Sequence, residues 1–333
     1  MIKYLKHEQL DKVKWDACIE ASEEGVIYAL SWYLDIVSPG WDAVVEMEEE
    51  NYLSVMPLPG SSKMGFSRLG PSYFVQQLGM FSVKPGGVAA VAASFLKETV
   101  KHFRFIHNYK FCPENTEALD ALAVKPALQA RYTRYLSLHL PYEQLYSNYS
   151  RDRKKNLRRA QVASDYSLVK SDDIEPLISL YATFVSSRMV MGFSAHIYQL
   201  LREIFVQASH RGMAELIYSY HDGEVSAGQL LLKYKGRISC LICAASAKGR
   251  AMNGITLLLD EAIRKYAGTD YVMDFESPAI ESIDNFNATF GAERVKYYAL
   301  FQNNLPWYVK AARNARMELY KAFAPVKDLP KEV

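Results

Sequence analysis

Apolar and polar positions alternate most regularly between residues 214 and 246. AELIYSY (214–220), VSAGQLLLKY (225–234) and RISCLICAAS (237–246) are runs rich in Val, Ile, Leu and Tyr, separated by Asp222-Gly223 and Lys235-Gly236. Asp-Gly or Lys-Gly between such runs marks a tight antiparallel turn, so the spacing predicts a three-stranded meander. The period then changes. After the small and charged turn AKGRAMNG, the segment ITLLLDEAIRKY places Leu258, Ala262, Ile263 and Tyr266 at helical spacing, with Gly268 as its stop. YVMDFES reads as a short strand, ESIDNFNATFGAE as a short helix and RVKYYALF as a closing strand.

A looser version of this order precedes it. Strand patterns at 41–45 and 52–57 flank a polar turn, 88–102 reads as a helix with a buried face, and FRFIHNY as a strand. Between the halves, FCPENTEALDALAVKPALQA carries Pro113 and Pro126 and no sustained alternation, which suits a linker. The pattern therefore predicts an α+β protein of two domains, 1–120 and 121–333, joined near 111–130.

Length and composition agree with this organisation and exclude several functions. At 333 residues, 50% hydrophobic and 23% charged, the chain exceeds one average domain. The net charge of +2 from 39 basic and 37 acidic side chains gives no global attraction for nucleic acid or anionic lipid. The N-terminal residues are charged throughout, and the longest small-apolar stretch, 88–96, is about half of the ~18 residues a membrane span needs. A cytoplasmic location and no membrane span are expected. Cys240 and Cys243, three apart on a strand, are expected to face opposite sides as core thiols rather than a redox or metal pair. GSSKMGF (60–66) has phosphate-loop glycine spacing but Phe66 where the lysine belongs, and no metal-protease, nucleophile-elbow or dinucleotide motif occurs. No metal is expected.

The C-terminal order of elements, with its turn before ITLLLDEAIRKY, resembles the GNAT acyltransferase fold, in which acyl-CoA pyrophosphate sits on backbone amides at that helix start. A helix N-terminus offers free N–H groups and a positive dipole end to such an anion. Of the GNAT turn Gln/Arg-x-x-Gly-x-Gly/Ala, this chain keeps Gly254 but has Ala251 and Thr256 at the outer positions. The resemblance makes Asn253, Gly254 and Thr256 the cofactor-contacting candidates. Asn287 stands where many GNAT enzymes carry a tyrosine acid. SRDRKKNLRRA (150–160) resembles the basic Ser-initiated, Asn-Leu-x-x-Ala stretch of Fem-type peptidyltransferases, and VMDFESPAIESIDNFNATFGAERVKYY (272–298) their Ile-x-x-Phe and Phe-Gly-Ala pattern. That resemblance implies two tandem GNAT-like domains, each a mixed, mainly antiparallel sheet flanked by helices. It also implies transfer of an activated acyl or aminoacyl group to an amine. Acyl-CoA or aminoacyl-tRNA is the implied co-substrate, with no permanently bound cofactor; the acceptor is expected to be a small molecule or muropeptide-like, in a cleft between the domains.

Amine attack on an ester or thioester needs a proton acceptor and a polarised carbonyl. Asp274 and Glu276 alternate with Met273 and Phe275, so strand spacing predicts both carboxylates on one face as catalytic candidates. Arg151, Lys154, Lys155, Arg158 and Arg159 form a basic helix suited to an anionic substrate group or tRNA, with Ser150 as N-cap. Trp32, Gln76 and Gln77 are substrate-binding candidates in the N-terminal half, the two glutamines on a strand and hence on alternate faces. The competing expectation is a non-catalytic binding protein on the same scaffold.

Overall fold

The computed structural model describes residues 1–63, 66–123, 127–162, 166–186, 193–276 and 280–323. In chain order the elements begin with β1 (Ile2–Leu5), α1 (Lys12–Ala21), α2 (Ser31–Val37), β2 (Asp42–Glu48) and β3 (Asn51–Leu58). β4 (Gly60–Lys63), β5 (Phe66–Leu69), β6 (Phe81–Ser82), α3 (Gly87–His102), β7 (Phe105–Lys110) and α4 (Thr116–Asp120) follow. Then come β8 (Leu128–Ser137), α5 (Tyr142–Ser147), α6 (Arg151–Val162), β9 (Tyr166–Lys170), α7 (Glu175–Phe184) and α8 (Ala195–His210). The chain continues with β10 (Ala214–His221), β11 (Glu224–Tyr234), β12 (Arg237–Ala245), α9 (Ala247–Ala251) and α10 (Gly254–Tyr266). It ends with β13 (Val272–Asp274), α11 (Glu281–Ala288), β14 (Glu293–Asn303) and α12 (Trp307–Phe323). These elements form two compact units. The first holds Met1–Tyr132 and Lys296–Phe323, the second Thr133–Val295, so the chain leaves unit 1 within β8 and returns within β14.

In unit 1, β1, β2, β3 and β6 form an antiparallel sheet in that order. A second group runs β4, β5, β7, β14, with β5 and β7 parallel. Parallel neighbours need a crossover, and α3 lies within it. Its buried face is the apolar stretch read from the sequence: Val88, Val91, Ala92, Phe95 and Leu96 all leave solvent. Each such side chain contributes roughly 1.5–3 kcal/mol by burial, alanine less. α1 is started by Asp11, whose carboxylate accepts from the N–H groups of Val13 and Lys14. The GSSKMGF segment is the β4–β5 hairpin, whose apex 64–65 lies outside the described residues. Residues 124–126 of the expected linker, including Pro126, also lie outside them.

In unit 2 the order is β8, β13, β12, β11, β10, β9, antiparallel except for the parallel pair β12 and β13. The predicted meander is β10–β11–β12. Its turns carry positive φ at both central residues, Asp222 (52°) with Gly223 (75°) and Lys235 (45°) with Gly236 (70°), the backbone that matches strand twist in a two-residue hairpin. α10 is the predicted helix, with Leu258, Ala262, Ile263 and Tyr266 buried. The cysteine expectation is overturned. β11 and β12 slip register between Leu230 and Leu231, which face Ile242 and Cys240, so Leu241 is an extra residue on β12. One bulge residue restores the face that a three-residue step would lose. Cys240 and Cys243 therefore lie on the same side, their sulfurs 2.8 Å apart.

Candidate functional site

The parallel pair of unit 2 is joined only at Arg237↔Val272, Ile238↔Met273 and Ser239↔Asp274. Beyond that point β13 stops while β12 runs on to Ala245, so the two strands part where the bulge at Leu241 lies. α10 connects them and starts from Asn253 in the left-handed conformation, φ 60°. A side chain at Gly254 would put a Cβ 2.9 Å from the Ala227 Cβ, so the helix start lies against β11 at a distance only glycine allows. Its first-turn N–H groups have no intrahelical acceptors, which makes this the local end of positive potential.

Of the three cofactor candidates, Asn253 and Gly254 form that helix start. Thr256 does not present its hydroxyl to an incoming group, because it is 2% exposed and its Oγ1 accepts from Arg153 Nη1 at 2.5 Å. Arg153, among the basic residues of α6, is itself withdrawn from solvent, at 6% exposed. Its Nε donates to Thr289 Oγ1 at 2.8 Å, and its guanidinium lies 4.1 Å and 4.7 Å from the ring centroids of Phe286 and Phe290. Burial holds its pKa down to about 10. It thus ties α6 to α10 and to α11 with its following turn, a role that the position of Leu157 and Ala160 on the same face could have signalled.

The rest of α6 matches expectation more closely. Arg153 N–H donates to Ser150 Oγ, so Ser150 caps the helix. Arg151, Lys155, Arg158 and Arg159 are exposed, and among the described residues none has a carboxylate partner. Lys154 is half-buried and donates to the Ser147 carbonyl at 2.7 Å.

The two acids differ from the one-face picture, because β13 ends at Asp274. Asp274 is 2% exposed, and its Oδ1 accepts from Thr133 Oγ1 at 2.9 Å and from the Glu276 N–H at 2.8 Å. The chain then turns through φ 47° at Glu276, breaking the alternation that strand spacing assumed. Glu276 is half-buried with Oε1 shielded from solvent, and burial pushes its pKa well above the usual carboxylate range. It stands just past the end of β13, at the parting of the strands. Asn287, at the position where many GNAT enzymes carry a tyrosine acid, is buried on α11. Among the described residues no three His, Cys, Asp or Glu side chains are grouped as metal ligands.

Unit 1 has a cleft of its own. β5 and β7 pair at Arg68↔Phe105 and Leu69↔Ile106, then separate, and the ladder resumes only at Leu78↔Phe111. Residues 70–77 run as a loop rather than as the expected strand. Gln76 and Gln77 therefore do not alternate between faces, and both line this opening with Pro71, Val75, Asn108 and Lys110. Trp32 does not line it; the residue packs edge-to-face on Tyr33 in α2.

Residues 145–277 match the GNAT acetyltransferase domain family model. The chain as a whole has a tandem GNAT fold of Fem type. It is similar to the crystal structure of FemX, with a TM-score of 0.62 at 12% identity over 96% of this chain and 99% of that one. A conserved protein of unknown function from Bacteroides thetaiotaomicron gives 0.54 at 12% identity over 91% and 100% of the two chains. The C-terminal domain of a protein assigned as a lysylphosphatidylglycerol synthetase from Agrobacterium fabrum gives 0.50 at 10% identity over 97% and 98%. No functionally curated protein sequence matches the chain. Among the described residues no helix is long and apolar enough to cross a membrane.

Proposed function

We propose that this protein is an N-acyltransferase or aminoacyltransferase whose acyl donor enters unit 2 where β12 and β13 part. The observation that carries the reading is the combination of that parting, the bulge at Leu241 and the start of α10 within the segment that matches the GNAT domain. A parted parallel pair exposes backbone N–H groups that can polarise a carbonyl, and a helix start beside it favours an anionic portion of the donor. Glu276 is the proposed proton carrier. The acceptor amine attacks the acyl carbon, its N–H proton passes to the Glu276 carboxylate, and the donor leaves as a thiol or alcohol once protonated. A carboxyl whose pKa is raised by burial suits a group that must both take and return a proton.

The donor is proposed to be aminoacyl-tRNA rather than acyl-CoA. Thr256 is committed to Arg153, Ala251 replaces the basic or amide side chain of the GNAT turn, and Asn287 replaces the usual acid. The exposed cations of α6 supply a surface for a polyanionic donor. The Fem resemblance supports an amine-bearing, muropeptide-like acceptor. The test is transfer of radiolabelled acyl groups to a primary amine from acetyl-CoA and, separately, from charged tRNA. Transfer from charged tRNA with none from acetyl-CoA is expected. Saturable binding of both donors without any transfer would favour the second reading, a non-catalytic scaffold, which the buried Asn287 in place of an acid specifically supports.

A further inference from the structure

The cleft of unit 1 contains two buried polar atoms of opposite hydrogen-bonding sense. Gln77 is 2% exposed and its Nε2 has no acceptor among the described residues; Asn108 Oδ1 is shielded from solvent and has no donor. Both residues line the same half-open depression, about 240 Å³ when the solvent at its mouth is included. Leaving a buried donor or acceptor unpaired costs roughly 1–3 kcal/mol each, so two in one cleft are a standing penalty that a matching ligand would remove.

The backbone around them is arranged to keep the cleft open. Between Leu69↔Ile106 and Leu78↔Phe111 the chain spends residues 70–77 on one side against 107–110 on the other. Leu300 of β14 faces Tyr109 of β7 while Gln302 faces Ile106, so β7 carries an extra residue there. Asn108 sits in that bulge at φ 57°, a left-handed conformation that asparagine tolerates better than most residues. The bulge re-aims its side chain as a regular strand would not. Opposite it, Gln76 Oε1 accepts from Lys110 Nζ at 3.2 Å, which leaves the amide of Gln77 as the uncommitted one of the pair.

We infer that this cleft is a recognition site for a secondary amide, the peptide group of a ligand. A carboxylate or phosphate would pair with Gln77 but repel Asn108 Oδ1, and an ammonium would do the reverse. A peptide group presents a C=O to the Gln77 donor and an N–H to the Asn108 acceptor. Pro71 and Val75 give the flanking substituents an apolar wall. The inference concerns binding alone and stands whether or not unit 2 transfers an acyl group.

The probe is N-acetyl-dialanine N-methylamide, together with the same compound in which each peptide N–H in turn is replaced by an ester oxygen. Binding to the full chain is followed by calorimetry. Saturable binding is expected, with one of the esters weaker by about tenfold, the loss typical of one hydrogen bond. Gln77→Met and Asn108→Gly, the latter keeping the left-handed backbone, each weaken the parent peptide by about tenfold with unchanged thermal melting. The ester penalty disappears in Asn108→Gly. If Gln77→Met melts early, Gln77→Glu keeps the shape and exchanges the donor for an acceptor. Absence of saturable binding to the wild-type chain at millimolar peptide overturns the inference, as does equal affinity in folded variants of both positions.

Discussion

The carboxyl group of Asp274 accepts from the Thr133 hydroxyl and the Glu276 N–H, so it closes the end of β13 and has little left for substrate. Glu276, two residues on, differs by environment rather than chemistry, because burial favours its neutral form. As a base it works only when ionised, so transfer should rise with pH through that raised pKa and then level. Glu276→Gln should lower the transfer rate by about 10²–10⁴-fold. Its effect on stability has the opposite sign. The folded pKa lies above the unfolded one, so between the two the folded state binds more protons and stability falls as pH rises. Glutamine removes that loss. Melting of Glu276→Gln should equal wild type near pH 4 and be higher near pH 8; lower melting at both would mean that the carboxyl is structural.

Helix α6 contains two kinds of cation, and substitution should separate them. Arg153 packs over the rings of Phe286 and Phe290 and donates to two threonine hydroxyls, with no carboxylate among these contacts. Arg153→Ala loses that packing and is expected to cost about 2–4 kcal/mol in urea unfolding. Arg153→Met, which restores apolar volume and leaves no orphaned counter-charge, should cost less. Arg151, Lys155 and Arg159 stand four apart on the exposed face, a stack that costs a helix roughly 0.2–0.5 kcal/mol per pair. Lys155→Glu with Arg159→Glu should therefore leave stability unchanged or slightly higher. Affinity for tRNA should fall, together with the slope of its salt dependence. Unchanged affinity at every salt concentration would make this face merely solvated. The other instructive element is β12. Its one-residue bulge puts Cys240 and Cys243 on one side, and no residue type in RISCLICAAS announces it.

On the scale of the molecule, unit 1 depends on a strand supplied from the far end of the chain. β14 pairs with β7 through Ala299↔Lys110 and Asn303↔Phe105, Gln302 Nε2 donates to the carbonyls of Val100 and Phe103, and Lys296 pairs with Asp120 at 2.7 Å. A chain ending at residue 295 leaves β7 without this neighbour and exposes its unpaired backbone. It is expected to lose the cooperative melting of unit 1 and, with the Asn108 bulge, the affinity for the amide probe. Retention of both after truncation would show that β14 is dispensable there.

Much of this fold was legible from local pattern. The hairpin glycines, the helical spacing of α10, the apolar face of α3 and the Ser150 cap each follow from interactions within a few residues, which a sequence displays directly. The fold class and the Fem resemblance rest on the same local signals taken in order. What required the tertiary structure were features set by partners distant in the chain. Arg153 became internal because Thr256 and Thr289 meet it. Glu276 left the strand because Asp274 caps its N–H. Gln76 and Gln77 share one opening because the loop before Leu78 parts from β7, and the end of the chain completes the sheet of its beginning. Periodicity encodes which residues face a core. It carries no record of which remote groups will meet there, because that is decided by strand pairing and close packing across the whole chain.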